Sequence, residues 1–85
     1  MNIYPNPAQN NITVDFESDN QIDAEIILRD MLGKIVATET IDINANNKTT
    51  TNIDINNLNT GGYFITIQDR VNNTQLITPK RFVKQ

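Results

Sequence analysis

The chain has no cysteine, no histidine and no tryptophan, and only three glycines and three prolines. Without cysteine there is no disulfide, no thiolate nucleophile and no zinc–thiolate cluster, and the redox compartment is left open. Without histidine, and with Ser18 as the single serine, the usual nucleophile and base constellations have no members, so the chain reads as a non-enzyme. No run approaches the ~18 apolar residues of a membrane-spanning helix, so the chain is not expected to span a membrane. Met1-Asn2-Ile3 also lacks the basic and then apolar profile of an export signal. Positive charge is scarce: the formal net charge is -3, which argues against a nucleic-acid partner, because a phosphate backbone demands a basic face. A chain of 85 residues is one domain, burying ~60 to 65 % of its unfolded surface. That is too small for a deep cleft between two lobes.

What is present points to β structure. Isoleucine and threonine, branched at Cβ, suit a pleated surface better than a helix turn. Asparagine, as at Asn10-Asn11, Asn46-Asn47, Asn56-Asn57 and Asn72-Asn73, tolerates left-handed turn geometry. Apolar alternation with period two sets Ile12, Val14 and Phe16 on one face, with Thr13, Asp15 and Glu17 opposite. Ala24, Ile26 and Leu28 repeat it, and Gly33 in "MLGK" suits the positive φ of a hairpin connection. "KIVATETIDI" returns, "NANNK" reads as a polar hairpin turn, and Ile53 with Ile55 forms another inward pair. Tyr63, Ile65 and Ile67 then fall in step, and "TQLITPKRFV" closes the chain with Pro79 inside the run, the mark of an edge strand or bulge. Which parity of that last strand faces inward stays open. No stretch has helical periodicity. Counting a short leader at Tyr4, the pattern predicts seven strands in an all-β, immunoglobulin-like antiparallel β-sandwich, with a five-stranded barrel as the alternative. "NTGGY", Asn59 to Tyr63, matches a tyrosine corner, with Leu58 anchoring the preceding corner and Gly61 supplying positive φ.

Sites for small ligands are few. The pairs Asp15 with Glu17 and Asp23 with Glu25 share strand faces and read as solvated surface. "DINANNK" alternates oxygen donors at Asp42, Asn44 and Asn46, but Asn47 and Ile53 stand where a helical calcium loop needs glycine and glutamate. No cofactor or metal is expected. Carbohydrate binding needs exposed aromatic platforms, and only Phe64 and Tyr4 are candidates.

Two motifs at the ends remain. "YPNP" (Tyr4, Pro5, Asn6, Pro7) holds two of the three prolines; each fixes its own φ and biases the residue before it toward extended geometry. This predicts a stiff, extended leader at a sandwich edge, with Tyr4 plugging the open end of the core, read either as a turn device or as a recognised element. The closing "KRFVK" (Lys80, Arg81, Phe82, Val83, Lys84) makes a basic, partly apolar edge in an acidic chain. It fits an acidic groove or strand addition by a partner, or else protection of an exposed edge.

"YPNP", "LRDMLGKIV", "GGYFITI" and the closing "KRFVK", in this order and spacing, resemble the type A C-terminal sorting domain of the bacterial type IX secretion system, the Por secretion tail family. The resemblance spans essentially residues 1–85. It implies a seven-stranded immunoglobulin-like domain ending a larger secreted protein of Bacteroidota whose own N-terminal signal takes it to the periplasm. It further implies a covalently preceding cargo domain, an outer-membrane translocon with its shuttle proteins, and a sortase-like peptidase that removes the domain. Cargo would then be released or anchored at the cell surface. On this reading Tyr4, Pro5, Asn6 and Pro7, and Lys80 to Lys84, are candidates for recognition, while Gly33, Leu58, Gly61 and Tyr63 serve the fold. The runner-up is a passive spacer, or an adhesive or carbohydrate-binding sandwich.

Overall fold

A computed structural model describes all residues from Met1 to Gln85. Eight strands run in the order β1 (Asn2–Tyr4), β2 (Asn11–Glu17), β3 (Ile22–Asp30), β4 (Ile35–Ile43), β5 (Lys48–Asp54), β6 (Gly61–Asp69), β7 (Thr74–Gln75) and β8 (Lys80–Lys84). They form two antiparallel sheets, one of order β1-β2-β5 and one in which β4, β3 and β6 are followed by β7 and β8, both paired to β6. No helix is long and apolar enough to cross a membrane.

The count of eight and the expected seven differ at Pro79. β7 pairs with the far end of β6 (Gln68↔Gln75) and β8 with its near end (Ile65↔Lys80), so they are one edge strand interrupted over residues 76–79. Proline has no N–H for a ladder, and the break falls where the sequence places it. The connectivity is immunoglobulin-like, with one particular: the fourth strand lies beside β3 in the larger sheet and not in the three-stranded one.

The inward faces are those of the alternating pattern. Ile12 and Val14 of β2 and Ile53 of β5 meet Ala24, Ile26 and Leu28 of β3 and Tyr63, Ile65 and Ile67 of β6 in one buried cluster, with Ala8, Ile43, Ile55 and Phe82 completing it. Burying such side chains contributes about 1.5 to 3 kcal/mol each and offsets the ordering of the backbone.

The turn chemistry is local. At the β3–β4 hairpin the Gly33 N–H donates to the Asp30 carbonyl (3.0 Å) and the Asp30 N–H to the Lys34 carbonyl (2.9 Å), with Gly33 at φ +87°. Asp30 also accepts from the N–H groups of Leu32 and Lys34 at 2.9 and 3.0 Å, an Asx-type turn. "NANNK" does not make the expected hairpin. β4 and β5 lie in different sheets, so this segment carries the chain across the sandwich, with Asn46 at φ +60° and its N–H donating to the Ser18 carbonyl at 2.8 Å. Polarity marks a reversal but not its partner, since either kind of connection demands solvated backbone.

Candidate functional site

The two end motifs meet, Asn6 of one hydrogen-bonded to Val83 of the other across 77 residues of chain. β1 is laid antiparallel on β2, with Ile3 opposite Val14 and Tyr4 opposite Thr13. Because side chains alternate, Ile3 packs against the core and Tyr4 points away from it. The expected plug is therefore not Tyr4, whose ring stands 46 % exposed on the outer face of the smaller sheet. Its hydroxyl donates to Asp15 Oδ2 at 3.1 Å. Asp15 also accepts from the Thr50 hydroxyl at 2.7 Å and pairs with Lys48 Nζ at 3.4 Å.

That cluster corrects the solvated-face reading of Asp15, which is only 6 % exposed. Tyr4 from one flanking strand, with Lys48 and Thr50 from the other, covers it. The Thr50 hydroxyl holds its carboxyl below the ordinary range against desolvation, helped by the Tyr4 hydroxyl and the Lys48 charge. The hydrogen bond to Asp15, with burial second, pushes the Tyr4 phenol up.

After Tyr4 the ladder stops, because Pro5 and Pro7 have no N–H to give. Residues 5–7 form a bend, not the expected extended leader, and both the Tyr4–Pro5 and Asn6–Pro7 peptide bonds are cis. The bend carries the chain from the smaller sheet to the free edge of β8. There Asn6 Oδ1 accepts from the Val83 N–H at 3.1 Å. Ala8, fully buried, donates its N–H to the Val83 carbonyl at 2.8 Å and accepts from the Gln85 N–H at 2.7 Å. The segment thus makes a single parallel bridge to β8, Ala8 to Lys84. Ala8, not Tyr4, closes this end of the core, and strand addition by a partner is blocked along Val83 to Gln85, against the expectation for this edge.

β8 also settles the open parity. Phe82 is fully buried, its ring centroid 5.6 Å from that of Tyr63 at an interplanar angle of 22°. Phe82 therefore belongs to the core and presents nothing for recognition. The Tyr63 hydroxyl donates to the Asn59 carbonyl; Leu58 packs on the core, its N–H donating to the Ile55 carbonyl at 3.0 Å; Gly61 has φ +151°.

Arg81 and Val83 take the opposite parity and face outward. The register aligns Arg29 of β3 with Phe64 of β6, and Phe64 with Arg81 of β8, giving a row of aromatic between two guanidiniums on the outer face of the larger sheet. Arg29 Nη1 donates to the Thr66 hydroxyl at 3.4 Å. Arg81 lies across Gly62, where an added Cβ would come within 3.3 Å of its Nε and 3.2 Å of Met31 Sδ. Sequence reading did not single out Arg29, Met31 or Leu32. The signal was the odd parity of Arg29 and the apolar Leu32 in a hairpin tip, and neither means much until the register puts them beside β8. Phe64 and Tyr4, the two possible sugar platforms, stand on opposite faces of the sandwich and make no common surface. No cluster of three or more acidic side chains with metal-holding geometry is present.

The chain matches the family model described as "Secretion system C-terminal sorting domain" over residues 2–85. No curated protein and no solved structure matches it.

Proposed function

The chain belongs to the family of secretion system C-terminal sorting domains, and from that premise we propose that it is the address by which a covalently preceding cargo protein is taken from the periplasm through the outer-membrane type IX translocon. The domain itself is no catalyst; a sortase-like peptidase removes it afterward, and the cargo is released or anchored at the cell surface. The observation that carries the reading is the match across residues 2–85. The convergence of the head and tail motifs supports it: Asn6 and Ala8 bind the backbone of Val83 and Gln85, so both ends of the family pattern compose a single corner of the domain. A folded corner gives a receptor one surface to read, whereas a linear tail would carry the ordering entropy into binding.

The test is export of a fluorescent protein, carrying an inner-membrane export signal and followed by residues 1–85, in a host with this secretion system. Accumulation in the medium or on the surface is expected. A folded fusion that stays in the periplasm refutes the reading and favours the spacer. Truncating "KRFVKQ" is a poor control, because it removes the buried Phe82 with the exposed residues; Arg81→Gln and Val83→Ser leave the core intact.

A further inference from the structure

We propose that the outer face of the five-stranded sheet, at the Arg29–Phe64–Arg81 row, docks an acidic segment bearing an apolar side chain from a protein of the secretion machinery; this rests on the sorting-domain reading and names the chemistry of its receptor.

The charge distribution is one-sided. Of seven Lys and Arg residues, Lys48 is paired with Asp15 and Arg70 with Asp23. Of the other five, Arg29, Lys34, Lys80 and Arg81 form no ion pair, while Lys84 Nζ donates to the Gln85 oxygen at 2.9 Å. All five lie on β3, on β8 or in the β3–β4 hairpin, and on β8 it is Arg81 that has the outward parity, Lys80 and Lys84 sharing that of Phe82. Asp30, which lines the same groove as Arg29, accepts from the backbone N–H groups of Leu32 and Lys34 in its own turn. This end of the sheet is therefore cationic in a chain of net charge -3, and the potential there favours an anionic partner.

Apolar surface collects in the same place. Met31, Leu32, Ile35 and Val83 are four of the six large hydrophobics left exposed, and Leu32 is 94 % exposed. A groove of about 430 Å³ runs between the hairpin and the break before β8, bounded by Met31, Leu32, Phe64, Thr66, Gln75 and Pro79. Contiguous apolar surface rimmed by charge marks an interaction site. Beside the row, the β3–β4 register shifts at Leu28/Arg29 and leaves Val36 of β4 unpaired, a bulge that bends β4 next to Arg29. The competing mode, strand addition, is closed off by Asn6 and Ala8 along Val83 to Gln85. What a receptor reads of "KRFVK" is thus its outward side chains, Arg81 and Val83, in company with Arg29 and Phe64.

The experiment compares four fusions of the export assay in one strain: native, Arg29→Gln/Arg81→Gln, Leu32→Glu, and Asn52→Asp/Asn57→Asp, which makes the same change in net charge as the arginine pair but elsewhere. The thermal midpoint of each purified domain is measured alongside. The expected result is a fall of about tenfold or more in export for the arginine pair and for Leu32→Glu, with Asn52→Asp/Asn57→Asp exported like the native fusion. Leu32→Glu keeps the test valid if the arginine pair loosens the fold, since Leu32 supports no packing. Native-level export of both face variants overturns the docking surface while leaving the sorting reading intact, and an equal fall in all three variants also overturns it, in favour of net charge alone. Normal export with loss only of surface retention overturns it as well, pointing to an anionic glycolipid. If the native fusion is not exported, the sorting reading fails and the docking proposal falls with it.

Discussion

Phe82→Ala separates the architectural half of the terminal strand from its outward half. Phe82 is fully buried and stacked on Tyr63, and truncating a buried Phe to Ala costs about 3 to 5 kcal/mol, transfer and cavity together. A domain of this size has about 4 to 13 kcal/mol of stability in all, so the variant loses a large part of it or does not fold. In urea denaturation followed by circular dichroism, a slope of about 1 kcal/mol per molar converts the loss into a midpoint lowered by about 3 M or more. Val83→Ala, one residue along the same strand but facing outward, is expected to change stability by no more than about 0.5 kcal/mol. A Phe82→Ala midpoint within about 1 M of native, or a Val83→Ala shift as large as that of Phe82→Ala, would refute the parity assigned to β8.

Three further outcomes follow from the geometry. Tyr63→Phe removes the hydroxyl bonded to the Asn59 carbonyl and is expected to cost about 1 to 2 kcal/mol in the same denaturation assay; an unchanged midpoint counts against the tyrosine corner. Asn6→Ala leaves the Val83 N–H without its acceptor, which predicts a loss of about 0.5 to 1.5 kcal/mol and faster hydrogen exchange at Val83 than at Phe82; unaltered exchange at Val83 would show that the head does not hold the tail. Asp15 titrates below its ordinary value of 3.8 when folded, so the unfolded chain binds the proton more readily. Its contribution is then complete above the ordinary value and is lost as pH falls through the lowered one, which predicts that the native and Asp15→Asn midpoints, apart above pH 3.8, converge as the pH is taken progressively below it. A gap that stays constant over that range contradicts the assignment.

Much of this was legible in the alternation of side chains. Ile12, Val14, Ala24, Ile26, Leu28, Ile53, Ile55, Tyr63, Ile65 and Ile67 all lie in the core cluster where their parity put them, because a sheet with one dry face leaves a period-two record in the sequence. Gly33 was readable for the same kind of local reason: a φ of +87° costs glycine little and other residues more. Asp15 was misread because its burial comes from Tyr4, Lys48 and Thr50 on two other strands, at sequence distances of 11 to 35 residues. "NANNK" was misread because polarity records solvent and not the sheet the chain enters next.

Determined by the sequence alone were the class of fold, the strands and their dry faces, the punctuation at Gly33 and Pro79, and the membership in a sorting family, matched over residues 2–85. These are local or statistical properties, written in propensity and period. Only the tertiary structure decided that "YPNP" bends to close the edge of "KRFVK", that Phe82 is core while Arg81 is surface, and that Arg29, Phe64 and Arg81 stand in one row. Those facts depend on strand register and on which sheet each strand joins. Long-range hydrogen bonding and packing fix both, and no window of neighbouring residues contains them.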